Sequence, residues 1–170
     1  MRTRPFFLFP SSFFLAAASL LLVPATASAD ITAFLGVNPT PTNRAARGIS
    51  AGMGLVIVGF EVEYSNTSED RPVFAPSLKT FMVNGLLQTP FPIAGMQFYG
   101  TAGAGGYRET LGEGTTKIQE TNVGLNVGGG VKMNLLGPLR LRLDYRVFNL
   151  KGEPLHPQVQ RFYAGVNLKF

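Results

Sequence analysis

The sequence predicts an all-β protein: an eight-stranded antiparallel up-and-down β-barrel that crosses a membrane after an N-terminal signal peptide is removed. Three observations predict this class. The chain opens with an export signal, apolar and polar residues later alternate with a period of two, and long connections alternate with short ones. Together they indicate strands with one lipid-facing side and one inward-facing side, which is the pattern of a membrane barrel.

The first segment has the charge and hydropathy order of a secretory signal peptide. Arg2 and Arg4 supply a basic start, and residues 6–23 are predominantly apolar. Ala27 and Ala29 then form the small-x-small pattern that signal peptidase accepts. We therefore expect cleavage after Ala29.

Such cleavage would divide the chain into a signal peptide, residues 1–29, and one barrel domain, residues 30–170. A retained transmembrane helix is the alternative, but three prolines interrupt or flank the apolar stretch.

Cysteine is absent, which excludes disulfides, thiolate metal sites and a lipidated N-terminal cysteine. A closed barrel supplies stability instead, because closure pairs every strand edge.

The alternation is clearest in the last two predicted strands. In residues 138–150 leucines alternate with charged residues, and in residues 161–170 apolar residues alternate with polar or small ones. The four charged side chains on one face of residues 138–150 cannot be buried unpaired in an apolar core, because burying a lone charge costs a large amount of free energy. A lipid-facing apolar side and an internally paired polar side resolve this conflict.

Six further strands complete the barrel. The same pattern predicts strands at 58–65 and 122–133, with their valines, Phe60, Tyr64, Leu125 and Met133 facing outward. Strands are also predicted at 31–37, 49–55, 77–88 and 95–107, but it stays open which of their residues face inward and which face outward. In 95–107 the many glycines and alanines blur the alternation.

Connection lengths add independent support. Outer-membrane barrels have short periplasmic turns and longer outside loops. Placing the N-terminus in the periplasm puts four long connections outside, and it places Tyr64, Tyr145 and Phe162 near the outer rim with Phe170 at the inner rim. The predicted long connections are 38–47, 66–76, 108–121 and 150–158, and the short ones are 56–57, 89–94 and 134–137.

Three stretches, residues 126–132, 139–146 and 161–170, resemble the small outer-membrane β-barrel proteins of the OmpA/OmpX type. The resemblance implies an integral protein of the bacterial outer membrane in contact with outer-membrane lipid and lipopolysaccharide. It also implies a terminal signal that the barrel-assembly machinery and periplasmic chaperones read. The residues that match this signal are Phe162, Val166, Leu168 and Phe170.

Charged residues on two opposite strands are the candidate site. In an eight-stranded barrel the third and seventh strands face each other across an interior that side chains can fill. Because Glu61 lies at a depth similar to Arg140 and Arg142, we expect ion pairs across the lumen that fill it. The predicted lumenal charges are Glu61, Glu63, Arg140, Arg142, Asp144 and Arg146.

The sequence predicts neither an enzyme nor a cofactor or metal site. The single histidine, His156, lies in the last long connection with no serine near it in sequence. The glycine-rich stretches 100–106 and 124–130 lack the Lys-Ser/Thr pair of a phosphate-binding loop, and the acids are dispersed. Basic residues are scattered singly, which argues against nucleic-acid binding.

The sequence therefore favours a structural or surface-interaction barrel with a filled lumen and four extracellular loops, whose loop partners it does not identify. Three alternatives stay open: a narrow passive channel for small solutes, a rim enzyme that uses His156, and a soluble lipocalin-like binding barrel. The last would normally carry an early Gly-x-Trp motif, and this chain has no tryptophan.

Overall fold

A computed structural model describes residues 28–112 and 117–170. The predicted up-and-down barrel is confirmed: eight antiparallel strands pair in chain order, and the last pairs with the first to close the sheet. Across these residues no helix combines the length and apolar character needed to cross a membrane. The strands are β1 (Ser28–Asn38), β2 (Arg44–Leu55), β3 (Val58–Thr67), β4 (Ser77–Gln88), β5 (Met96–Leu111), β6 (Ile118–Leu136), β7 (Leu139–Leu150) and β8 (Gln158–Lys169).

The barrel has two ends, which we name by their connections. The turn end carries residues 56–57, 89–95 and 137–138, together with the start of β1 and the end of β8. The loop end carries the other four connections, at 39–43, 68–76, 112–117 and 151–157.

The predicted contrast between long and short connections is only partly right. Half of the predicted connection 38–47 is strand, because β2 begins at Arg44, and β5 and β6 take up most of 108–121. The turn-end connection 89–95 is as long as the loop-end connection 151–157. Polar composition misled the prediction: Arg44 and Glu109 are buried under the rim, where a strand can carry them as well as a loop.

Pairing with strands of known phase settles the four open phases. Residues opposite each other in a ladder lie on the same face of the sheet. Ala33 lies opposite the outward Val166, Ile49 opposite Tyr64, Val83 opposite Val62, and Ala102 opposite Val127, and each of these partners faces outward. Consequently these buried residues of the four strands point inward: Thr32, Phe34, Ser50, Thr80, Met82, Asn84, Tyr99, Thr101 and Tyr107.

Candidate functional site in the barrel lumen

A buried ion-pair network occupies the middle of the lumen. Glu61 on β3 binds two arginines of β7, which lies on the opposite side of the barrel. Arg142 Nη1 donates to Glu61 Oε2 and Arg142 Nη2 to Oε1 at 3.3 Å, so the pairing is bidentate. Arg146 Nη2 donates to the same Oε1 at 2.7 Å. All three side chains are almost completely buried.

Asp144 joins the two arginines on their own strand. Its carboxylate accepts hydrogen bonds from Arg146 Nε at 3.0 Å and from Arg142 Nη2 at 3.3 Å. The hydroxyl of Tyr99 donates to Asp144 Oδ2 at 2.5 Å and accepts from Arg142 Nε at 2.7 Å. Asp144 therefore orients Arg142 and Arg146 toward Glu61 across the lumen.

Arg161 on β8 is a member of the network that the sequence prediction left out. Arg161 Nη2 donates to Glu63 Oε1 at 2.6 Å, and its Nη1 donates to the Ser65 hydroxyl at 2.7 Å. Arg146 Nη1 also lies 3.1 Å from Glu63 Oε2. The signal was present in the sequence, because Arg161 has the inward phase of its alternating strand. The network then holds three arginines and three carboxylates, so its formal net charge is zero. Its members are Arg142, Arg146, Arg161, Glu61, Glu63 and Asp144.

Arg140 does not join Glu61, contrary to the prediction. Its Nη2 lies 3.8 Å from Asp30 and its Nη1 donates to Gln97 at 3.1 Å, nearer the turn end. Lys132 Nζ forms a shorter ion pair with the same aspartate, at 2.5 Å. The tilt of barrel strands shifts the level at which opposite strands meet, so depth counted from the turns misplaced Arg140.

The lumen is not polar along its whole length. Toward the loop end, six inward-facing residues form a buried apolar layer, and Phe148 and Val159 are each only 1% exposed. The guanidinium carbon of Arg161 lies 4.8 Å from the centre of the Phe148 ring, which joins this layer to the charges. The apolar layer comprises Leu78, Met82, Tyr107, Phe148, Leu150 and Val159.

At the turn end the lumen widens into a cavity of about 230 Å³. Asp30, Lys132 and Arg140 line its wall, and Glu61 lies at its inner limit. Asp30 and Lys132 were not among the predicted site residues. Asp30 precedes the first predicted strand, whose phase was open, whereas Lys132 lies between outward-facing residues of β6 and could have been found from that alternation.

Polar side chains clamp the loop end together. Buried Arg44 donates to the carbonyl oxygens of Thr40 and Pro76, and Glu109 accepts from the Leu155 amide at 2.9 Å. Glu69 accepts from the Gly112 amide at 2.7 Å, which joins two different connections. These bonds link all four loop-end connections to the rim or to one another.

The Glu69 contact should depend on pH. The hydrogen bond from the Gly112 amide lowers the pKa of the partly exposed Glu69 carboxyl, with a smaller contribution from Arg71. A lowered pKa means that the contact stabilises the folded loops at neutral pH and is lost as the pH falls through that pKa. Glu69→Ala, which removes the acceptor, is expected to speed amide hydrogen exchange at Gly112 at neutral pH, whereas Glu153→Ala, on another connection, should leave it unchanged. An unchanged rate in Glu69→Ala would contradict the clamp.

The other predicted site residues are placed as follows. Ala27 lies outside the described residues, and Ala29 pairs with Met53 near the start of β1. Cleavage after Ala29 stays a prediction. Phe162 and Val166 face outward on β8, and the Phe170 amide donates to the Ala29 carbonyl at 2.8 Å. Within residues 28–112 and 117–170, no group of three or more His, Asp or Glu side chains could hold a metal ion.

An outer wall of apolar side chains around a lumen of paired charges is the arrangement expected of a barrel that crosses lipid. The family model described as "Outer membrane protein beta-barrel domain" matches residues 13–170. The chain belongs to this family. It is therefore an integral outer-membrane β-barrel protein, which agrees with the predicted address and argues against the soluble lipocalin-like alternative.

Solved structures of similar fold support the same architecture. The N-terminal β-barrel domain of Pseudomonas aeruginosa OprF is 17% identical, with a TM-score of 0.65 over 84% of this chain and 97% of that one. Neisserial surface protein A is 20% identical, with a TM-score of 0.65 over 85% and 96%. The outer membrane enzyme PagL is 10% identical, with a TM-score of 0.52 over 82% and 98%. No curated protein matches the sequence.

Proposed function

We propose that this outer-membrane barrel is a structural or surface-interaction protein with a closed lumen and four loop-end connections facing the outside of the cell. The observation that carries the proposal is the presence of two successive layers across the lumen. The neutral network around Glu61 and Arg142 fills its middle, and the apolar layer around Phe148 fills the part nearer the loops. An ion would have to break the first layer and dehydrate in the second.

The proposal includes no catalytic activity. An enzyme shares this fold at low identity, so the fold alone does not decide the question. The rim-enzyme alternative depends on His156, which lies half-buried in the connection 151–157. If His156→Ala abolished a lipid-modifying activity of the purified protein, the non-enzymatic assignment would be wrong.

A narrow passive channel is the second candidate, and one observation favours it. The cavity at the turn end reaches inward as far as Glu61, so part of a path is already open. The apolar layer lies between the end of this cavity and the loops. The two candidates therefore differ in whether that layer blocks ions.

Reconstitution into planar lipid bilayers separates these candidates. The wild-type protein is expected to give no discrete conductance steps in concentrated potassium chloride, because charged and apolar layers both block the lumen. A general porin reconstituted in the same way provides the positive control, and resistance to unfolding by detergent before boiling verifies that the barrel is folded. Reproducible steps from folded wild-type protein would favour the channel and overturn the closed-lumen proposal.

A further inference from the structure

The outward-facing charges of the strands are all positive in the part of the chain that the structure describes. They are Arg47 on β2, Lys79 on β4 and Arg108 on β5, and all three are exposed. Within residues 28–112 and 117–170, the carboxylates of the strands either point into the lumen or lie under the rim, so this part of the outer wall holds no acid beside the three cations. A charge on the lipid-facing wall is costly at the membrane centre and becomes tolerable only near the interface.

Strand register places the three cations in one line. Arg47 lies opposite Asn66, Asn66 opposite Lys79, and Lys79 opposite Arg108, which in turn lies opposite Thr121. We name these five residues the basic row. It runs across five neighbouring strands near the loop end, with a cation on every strand except β3 and β6.

The rows above and below the basic row fix its level in the membrane. The neighbouring outward row on the turn-end side is apolar, and the row on the loop-end side is uncharged and mostly polar. The cations therefore lie where the hydrocarbon-facing wall ends. The apolar row comprises Ile49, Tyr64, Phe81, Gly106 and Val123, and the uncharged row comprises Ala45, Ser68, Ser77, Thr110 and Gln119.

An apolar groove in the outer wall runs from this row toward the turn end. Its volume is about 870 Å³, and Arg47 and Lys79 both line it. The small side chains of Ala33 and Ala164 leave space between larger apolar neighbours such as Ile49. A cationic boundary joined to an apolar groove matches a ligand with an anionic headgroup and an acyl chain.

We propose that the basic row binds the phosphate groups of lipopolysaccharide, the phosphorylated and acylated glycolipid of the outer leaflet, and that the groove takes one of its acyl chains. The proposal rests on the proposed function, because only loops that face outside put the basic row in the outer leaflet. Guanidinium groups bind phosphate oxygens bidentately, and lysine adds a point charge. Asn66, between Arg47 and Lys79, and Thr121, at the end of the row beside Arg108, supply neutral hydrogen-bonding groups.

Native mass spectrometry of the full barrel in detergent tests the proposal with purified bisphosphorylated lipid A as the probe. Each cation at an anionic lipid surface contributes about a fivefold gain in affinity, so Arg47→Gln/Lys79→Gln/Arg108→Gln is expected to bind lipid A about a hundredfold more weakly. The matched control, Lys117→Gln/Lys151→Gln/Lys169→Gln, removes the same charge away from the basic row and should bind like the wild type. A heat-dependent gel shift verifies that each variant is folded.

Two further probes identify the headgroup. Dephosphorylated lipid A should bind the wild-type protein more weakly than bisphosphorylated lipid A does. The loss in affinity should be about as large as the loss caused by Arg47→Gln/Lys79→Gln/Arg108→Gln, which we name the basic-row variant. Phosphatidylglycerol, which carries a single phosphate, should bind more weakly than lipid A. Equal binding of lipid A to the wild type and the basic-row variant would overturn the site, and equal binding of phosphatidylglycerol and lipid A would overturn the glycolipid assignment.

A separate measurement distinguishes failure of this inference from failure of the proposed function. A single cysteine introduced at Glu153, in an exposed loop-end connection, should react with a membrane-impermeant maleimide on intact cells. Absence of labelling with normal lipid A binding in detergent would refute the proposed orientation and leave the binding site standing. Normal labelling without lipid A binding would refute the basic row alone.

Discussion

Replacing Arg142 by glutamine is expected to lower the free energy of unfolding by about 3–5 kcal/mol, because Glu61 and Asp144 stay buried with one arginine fewer to compensate their charge. Arg142 is fully buried and bonds to Glu61, Asp144 and the Tyr99 hydroxyl. Urea titration of the detergent-solubilised barrel, followed by circular dichroism, measures the loss. Because the chain has no tryptophan, fluorescence is a poorer probe.

The same substitution at an exposed arginine provides the control. Arg71 pairs with Glu69 at the surface, so Arg71→Gln should cost less than about 1 kcal/mol. Adding Glu61→Gln to Arg142→Gln should cost less than the sum of the two single changes, because the second substitution removes a buried carboxylate that has already lost one of its two arginines. Equal losses for Arg142→Gln and Arg71→Gln would contradict a stabilising role for the buried network.

Replacing Gly105 by alanine is expected to cost about 2–3 kcal/mol of stability and to lower the yield of refolded barrel, because the added methyl group would overpack the site. A Cβ at this position would lie 1.9 Å from the Phe81 carbonyl oxygen and 2.8 Å from Met82 Cα. Both contacts are backbone atoms of the paired strand β4, so relief requires that the two strands move apart. Urea titration and the heat-dependent gel shift measure stability and yield.

The next residue is a control with the same chemistry. A Cβ at Gly106 would have no atom within 4 Å, because this position faces outward into open space. Gly106→Ala should therefore leave stability unchanged or raise it by less than about 1 kcal/mol, through the lower entropy of the unfolded chain. If both alanine variants were equally stable, the close approach of β4 and β5 would not be a constraint on the barrel.

Alternation along the chain predicted much of the barrel wall. In β7 and β8 the contrast between leucine or phenylalanine and charged residues is strong, so the inward phase of Arg142 and the outward phase of Phe162 follow from the sequence. In β5 the run of glycine and alanine carries no such contrast. Its phase was decided by pairing, which places Ala102 opposite the outward Val127 and leaves Tyr99 inside.

Partners across the lumen could not be predicted with the same success. Position in the sequence made both Arg140 and Arg142 candidate ion-pair partners of Glu61. Of these two, only Arg142 forms the ion pair. The choice depends on strand tilt and stagger, which are properties of the closed sheet and leave no local trace in the sequence. The apolar layer was missed for a related reason, since its residues come from four strands and meet only after closure.

The sequence by itself determined that the chain forms a barrel wall with an apolar outside and a charged inside. Period-two alternation is a local property, and each strand encodes it independently of the others. Only the tertiary structure decided which charges meet, where the lumen becomes apolar, and that Arg47, Lys79 and Arg108 share one row. These features depend on register between strands, and a one-residue slip would move every side chain to the other face.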